Sequence, residues 1–158
     1  MLMVSNRPLF ALGQPSCGLR APSAWVTDHA GVLSDAEVHR LTAELQLLEK
    51  DHLAQAIIYI EPLLPSDQVM ERLTLRCANA WGIGHKETND GIAILVFVRD
   101  RKVRIELGYG MERAISNQAA KSVIDEQMAP AFRDCDDASG VHQALVRIRT
   151  LLSQANKH

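Results

Sequence analysis

Apolar residues form one uninterrupted run in the middle of the chain, Ile92–Val98. A polar turn at 99–102 separates this run from an alternating segment, Val103–Leu107. The pattern predicts a β-hairpin whose first strand is buried on both faces, and such a strand needs covering layers above and below. Polar turns at Asn89–Gly91 and Gly108–Glu112 flank the hairpin in sequence. Because the hairpin folds back on itself, we expect both turns at the same end of the sheet.

Apolar stripes at helical spacing predict four amphipathic helices around this hairpin. Ser34 and Glu37 form a capping box at the start of the first helix, and Ser66 is the expected cap of the second. Two further β-prone segments lie at 25–28 and 55–60. The order β-α-β-α-β-β-α-α predicts an α/β fold, a three-layer α/β/α sandwich with a small mixed sheet. Its βαβ beginning also predicts right-handed crossovers between parallel strands.

Composition narrows the function classes. The chain has 158 residues, enough for one domain, which we place at 24–155 after a mobile leader at 1–23. Its net charge of −2 and aromatic content of 4% argue against nucleic acid as a partner. No apolar run reaches the roughly 18–20 residues of a transmembrane helix. Prolines interrupt the apolar part of the leader, so it is not a clean export signal and the compartment stays open.

The three cysteines, Cys17, Cys77 and Cys135, are an odd number without CxxC spacing. This pattern predicts neither a disulfide framework nor a zinc site. Cys77 falls on the apolar stripe of the second predicted helix, so we interpret it as a small buried hydrophobic residue.

Several motifs occur in an order that resembles a known family. They are Val26-x-Asp28-x-Ala30-Gly-Val-Leu-Ser34, Trp81-Gly-Ile-Gly84, Asn89-Asp-Gly91, Asp100-Arg-Lys-Val-Arg-Ile-Glu106 and Gly108-Tyr-Gly-Met-Glu112. Together they resemble the TPM domain, which is named for a plant thylakoid-lumen phosphatase, photosystem II repair proteins and a nematode receptor-associated membrane protein. One departure is Asp137, which stands where the family commonly has an aromatic residue.

The resemblance implies an α/β/α sandwich, binding of a divalent cation and residence in a cell envelope. We therefore expect a divalent-cation-binding module that acts as an envelope interaction or maintenance factor, with an envelope or membrane protein as its partner. The alternative that the resemblance allows is a metal-assisted acid phosphatase, which would hydrolyse phosphomonoesters with a metal-held water. Whether the chain is an enzyme stays open at this point.

Four side chains with oxygen donors are the candidate metal ligands: Asp28, Asn89, Asp90 and Glu112. Carboxylate and amide oxygens are the ligands of hard cations, so the cofactor expected is Ca²⁺ or Mg²⁺. Asp90 and Glu112 should be neighbours across the open end of the hairpin. Asp28 ends the first strand and would lie at the opposite end if the first and third strands are parallel. The plainer interpretation is that each of these residues only forms a turn.

Other patterns carry less chemistry. The motifs GxSxG, GxGxxG and the P-loop are absent, so the sequence indicates no catalytic nucleophile and no nucleotide cofactor. Asp134, Asp136 and Asp137 precede the last predicted helix. Capping and favourable interaction with the helix dipole is the preferred interpretation of these aspartates, and a second cation site is the minor one.

Overall fold

A computed structural model of the chain describes residues 17–157. The strands are β1 (Val26–Asp28), β2 (Gln55–Glu61), β3 (Gly91–Phe97) and β4 (Lys102–Leu107). The helices are α1 (Asp35–Lys50), α2 (Met70–Trp81), α3 (Asn117–Val123), α4 (Ala129–Arg133) and α5 (Asp137–Ala155). A 3₁₀ turn at Tyr109–Met111 follows β4, and a π-helical turn at Ile124–Met128 joins α3 to α4.

The strands form a single mixed sheet in the order β1-β2-β3-β4. The first three strands are parallel, and β4 pairs antiparallel with β3. All seven residues of β3 are buried, as expected of a strand covered on both faces. The α/β fold predicted from the apolar run is therefore confirmed.

The two faces of the sheet are covered unequally. Leu41, Leu45 and Leu48 of α1 share a core with α3, α5 and the even-numbered residues of β2 and β3. The opposite face carries α2, whose Leu73, Cys77 and Trp81 pack on the odd-numbered residues. Two crossovers that step in the same direction along a sheet but pass over opposite faces have opposite hands. The prediction that both crossovers are right-handed is therefore wrong for one of them, since that preference is strong but statistical.

The helix boundaries follow local sequence in part. Ser34 and Glu37 make both hydrogen bonds of the predicted capping box at α1. Ser66 does not cap α2, because the helix begins at Met70 without any side-chain cap. The third predicted helix is divided into α3, the π-helical turn and α4. Pro130 lies in the first turn of α4, where its missing N–H cannot continue the regular hydrogen-bond ladder.

Cys17 and Cys77 form a disulfide across a sequence separation of 60, and both side chains are buried. The expectation of no disulfide, with Cys77 as a small buried hydrophobic residue, is therefore wrong, because the fold brings together two cysteines whose spacing carries no motif. Cys135 is the remaining thiol and is exposed. Residues 1–16 of the expected leader lie outside the described residues, so the leader stays a prediction there. None of the helices between residues 17 and 157 is both long enough and apolar enough to cross a membrane.

Candidate functional site

The predicted ligands lie at opposite ends of the sheet. We call the end where β1, β2 and β3 begin the amino end, and the end where they finish the carboxyl end. Asp28 pairs with Ile60 and therefore lies at the carboxyl end. Gly91 pairs with Gln55 at the amino end, which places the two polar turns of the hairpin there. The Gly108 amide donates to the Gly91 carbonyl at 2.8 Å, so these turns meet as the hairpin pattern predicts.

Asp90, at the amino end, is held by a histidine. Its carboxylate accepts hydrogen bonds from the His85 backbone amide at 2.7 Å and from the His85 ring Nδ1 at 3.0 Å. Burial alone would raise the pKa of Asp90, but the bonds from His85 outweigh it and hold that pKa below its usual value. The bond to Asp90 in turn raises the pKa of His85, with Glu49 contributing a smaller attraction.

The partner of Asp90 differs from the one expected. Asn89 and Glu112 line the same cleft, but the carboxylate of Asp90 is directed to His85. Sequence reasoning missed this histidine, which follows Gly84 in a loop without a regular spacing. Its position five residues before an aspartate in a tight loop was the only available signal.

Close backbone approaches also fix the amino end. A Cβ atom added to Gly110 would lie 1.9 Å from the Thr88 carbonyl oxygen, and one added to Gly91 would lie 2.3 Å from the Ile83 oxygen. The Gly110 amide donates to the Asn89 carbonyl at 2.9 Å. Glycine is therefore required at these turns for space.

Asp28, at the carboxyl end, organises the loop into α1. One carboxylate oxygen accepts from the amides of Ala30 and Gly31 at 3.1 and 2.8 Å, and the other accepts from Leu33 at 2.9 Å. This is the turn-forming role that the plainer interpretation predicted. The same carboxylate also lies near the start of α5. Burial raises the pKa of Asp137, and the charges of Asp136 and Asp28 raise it further.

These three residues, Asp28, Asp136 and Asp137, are called the carboxyl-end aspartates below. Asp136 also caps α5, because its side chain accepts from the Ser139 amide at 3.2 Å. The preferred interpretation of the acidic segment, helix capping, is therefore confirmed for Asp136. Asp137 lies in the first turn of the same helix, close enough to Asp28 for the two charges to repel each other.

A second polar group lies at the same end and was not predicted. His29 Nδ1 lies 2.5 Å from Glu61 Oε1, and the Tyr59 hydroxyl lies 2.8 Å from the same oxygen. Burial, together with the hydrogen bond to Glu61, raises the pKa of Tyr59 above its usual range. Glu61 directly follows the apolar run of β2, and a carboxylate in that position was the signal for this group.

Neither end presents a preformed metal cage. Across residues 17–157, no three His, Cys, Asp or Glu side chains converge closely enough to hold a metal ion. The sheet topology divides the four predicted ligands, with Asp28 at the carboxyl end and the other three at the amino end. Any cation site must therefore take part of its coordination from backbone carbonyls or water.

A cleft of about 500 Å³ opens between α2 and β4 near the amino end. Asn89, Glu112 and Glu106 of β4 are among the residues that line it. The side chain of Glu106 is 9% exposed and accepts from the Thr74 hydroxyl and from Arg104 Nε, both at 2.8 Å. Sequence reasoning did not single out Glu106. Strand alternation places its side chain on the face of the sheet opposite to that of the buried Ile105.

Comparison with known proteins agrees with this architecture. A sequence model described as the TPM domain matches residues 26–151. No curated protein matches the chain. The solution structure of the N-terminal domain of a P. gingivalis protein is 28% identical, with a TM-score of 0.77 and coverage of 85% of each chain.

Two more distant solution structures show the same fold. The N-terminal domain of a Corynebacterium glutamicum protein is 15% identical with a TM-score of 0.59, covering 82% of this chain and 78% of that one. A protein from the psychrophilic bacterium Bizionia argentinensis is 16% identical with a TM-score of 0.62, covering 81% of this chain and 86% of that one.

Proposed function

The chain belongs to the TPM domain family, and on that premise we propose that it is a divalent-cation-binding module serving as an interaction or maintenance factor in the cell envelope. The observation that carries the cation proposal is the charge at the carboxyl end. Asp137 has a raised pKa, caused by its burial and by the charges of Asp136 and Asp28. A bound cation would relieve this repulsion, and carboxylate oxygens are suitable ligands for Ca²⁺ or Mg²⁺.

The amino end is the weaker candidate for the cation. Asp90 already has a positive partner when His85 is protonated, and the histidine would have to release it. Ligands of open α/β sheets also bind outside the carboxyl ends of the strands in general. The side chains of the carboxyl-end aspartates do not converge on one point. We therefore expect a dissociation constant for calcium in the range of extracellular calcium modules, about 0.1–1 mM.

The Cys17–Cys77 disulfide supports the envelope part of the proposal. Disulfides persist in oxidising compartments such as the periplasm and the cell surface, and they are rare in the cytosol. Cys17 and Cys77 are buried, so the thiols are counted in unfolded but unreduced protein, where Cys135 alone should react. Three reactive thiols in protein isolated from its native compartment would contradict the envelope assignment.

The cation proposal is tested by titrating the metal-free protein with Ca²⁺ and Mg²⁺ and following backbone amide NMR shifts. We expect saturable shifts of the amides at 28–33 and 134–139. The substitution Asp137→Asn should lower the metal affinity at least about threefold. The matched control is Asp125→Asn, which removes an exposed aspartate whose described partner is Lys121.

The other outcomes of the titration are informative. Shifts confined to 89–91 and 108–112 would move the site to the amino end, where the other predicted ligands lie. No response of either end at about 10 mM metal would remove cation binding from the proposed function. The phosphatase alternative stays a prediction, supported only if phosphomonoester turnover disappears in a folded Asp90→Ala variant.

A further inference from the structure

The outer side of β4 is a free strand edge. β4 is the last strand of the sheet, so no other segment of residues 17–157 pairs with its outer side. The Gly108 amide bonds to the Gly91 carbonyl across the hairpin. Because alternate residues of a strand bond to the same neighbour, the backbone groups of Arg104 and Glu106 also face β3. The amides and carbonyls of Val103, Ile105 and Leu107 consequently point outward. A free edge of this kind can accept an additional strand.

A groove runs beside this edge on the α2 face. It is the cleft of about 500 Å³ described above, with Leu75, Asn79 and Ile83 lining one wall and residues of β4 lining the other. Two apolar residues of the lining are exposed, Leu75 at 53% and Tyr109 at 81%. A strand added to β4 would direct every second side chain into this groove, because strand side chains alternate between the two faces.

Glu106 gives the groove a charge preference. Its side chain is only 9% exposed, and both of its hydrogen bonds, from Thr74 and Arg104, reach the same oxygen, Oε1. Within the described part of the chain, its Oε2 accepts no hydrogen bond. Arg104 already supplies a positive partner at Oε1, whereas Oε2 is not fully buried and stays open to a second donor from the groove. Glu112 adds a second, exposed carboxylate to the lining, and together with Glu106 and Arg104 it gives the groove a net negative charge that suits a basic side chain.

We propose that an extended peptide segment carrying a lysine or arginine binds as a fifth strand along β4, with its basic side chain reaching Glu106 from the groove. Backbone hydrogen bonds to Val103, Ile105 and Leu107 would supply affinity, and the charge at Glu106 would supply specificity. This inference rests on the proposed interaction role and names the class of partner. It does not use the carboxyl-end aspartates.

The probe is a capped heptapeptide, acetyl-Ser-Thr-Val-Lys-Val-Thr-Ser-amide, titrated into the metal-free protein and followed by amide NMR shifts. We expect saturable shifts at Val103, Ile105 and Leu107. Replacing the charge acceptor by Glu106→Gln should weaken binding about tenfold, the usual size of one charge-assisted contact. The control variant Asp67→Asn removes an exposed carboxylate away from the groove and should leave the affinity unchanged.

Changes in the peptide test the same geometry without altering the fold. A peptide with norleucine in place of lysine should bind the native protein and Glu106→Gln equally. A peptide N-methylated at alternate residues on its pairing side should not bind, since it cannot form strand hydrogen bonds. Binding of the N-methylated peptide, or no saturable shift at about 5 mM peptide, would overturn the proposal.

Two further outcomes separate the possibilities. Concentration-dependent dimerisation with shifts confined to β4 would make a second copy of the chain the occupant and would overturn the peptide proposal. A failed peptide titration in a protein that still shows calcium shifts at the carboxyl end would leave the cation proposal intact. Peptide binding without any calcium response would leave the peptide proposal intact and remove the cation proposal.

Discussion

The two ends of the sheet carry similar side chains in opposite electrostatic states. At the amino end, Asp90 is bonded to His85, and its pKa is lowered by that contact despite burial. At the carboxyl end, the pKa of Asp137 is raised by burial and by Asp136 and Asp28. The comparison shows that the surroundings of a carboxylate, rather than its residue type, decide the direction in which its pKa is shifted.

Topology accounts for the difference between the ends. The amino end is closed by the two turns of the hairpin, which are joined by backbone hydrogen bonds from the amides of Gly108 and Gly110. The carboxyl end is formed by the loop into α1 and by the start of α5, elements that are far apart in sequence. A local turn can place a histidine beside an aspartate, whereas only the fold brings Asp28 near Asp136 and Asp137.

The largest expected effect contrasts one glycine from each end. Gly110→Ala should destabilise the protein by about 3 kcal/mol, because its Cβ would collide with the Thr88 carbonyl 1.9 Å away. Gly31 has a positive φ of 69° but nothing within 4 Å of an added Cβ. Gly31→Ala should therefore cost only the left-handed backbone penalty, about 1 kcal/mol. Denaturant unfolding measures both values.

Equal effects of the two glycine substitutions would contradict the contrast between a close-packed amino end and an open carboxyl end. A control for general sensitivity to alanine is Ser153→Ala in the last turn of α5. It replaces a serine by a better helix former and should change the free energy of unfolding by less than about 0.5 kcal/mol.

The sequence predicted the fold more completely than the site. The apolar run Ile92–Val98 and the helical stripes depend on local periodicity, and they specified the layers and the hairpin. The hairpin also predicted that its two turns meet. The pairing of Cys17 with Cys77 and the contact of Thr74 with Glu106 join distant segments, which periodicity does not encode.

Asp28 shows why the site was harder to predict than the fold. Its motif pointed to a ligand, and strand direction alone already conflicted with a site shared with Asp90. The register of β1 on β2 places Asp28 at the carboxyl end. There it meets Asp137, a residue that the family resemblance marked only as a departure from an aromatic. The acidic residues were visible in the sequence, but their proximity in the fold was not.

The next largest effect is a difference in sign between two aspartate substitutions. Asp90→Asn removes the charge that accepts bonds from His85, so it should destabilise the metal-free protein by about 1 kcal/mol. Asp137→Asn removes a repelled charge and should stabilise the metal-free protein by a few tenths, on the order of 0.3 kcal/mol after solvent screening. Denaturant unfolding in the presence of a chelator measures both.

Calcium provides the internal check on these two variants. Native protein should gain stability when calcium is added, since a ligand that binds only the folded state stabilises it. Asp90→Asn should keep that gain, and Asp137→Asn should lose most of it. The opposite assignment of the calcium effect would place the cation at the amino end.

The smallest expected effect is the pH dependence of the His85–Asp90 pair. The raised pKa of His85 in the folded state means that its stabilisation is complete below the unfolded value of 6.5 and is lost as pH rises through the folded value. The lowered pKa of Asp90 means that its stabilisation is present above its usual value of 3.8 and is lost as pH falls through the folded value. The pair therefore contributes most between those two reference values.

Proton NMR of the His85 ring tests this directly. Its titration midpoint should lie above 6.5 in the native protein and fall toward that value in Asp90→Asn. Calcium sharpens the comparison, because a cation bound to Asp90 would compete with the imidazolium and lower the midpoint of His85. A cation bound near Asp137 at the opposite end would leave that midpoint unchanged, since solvent and salt screen charges at such a separation.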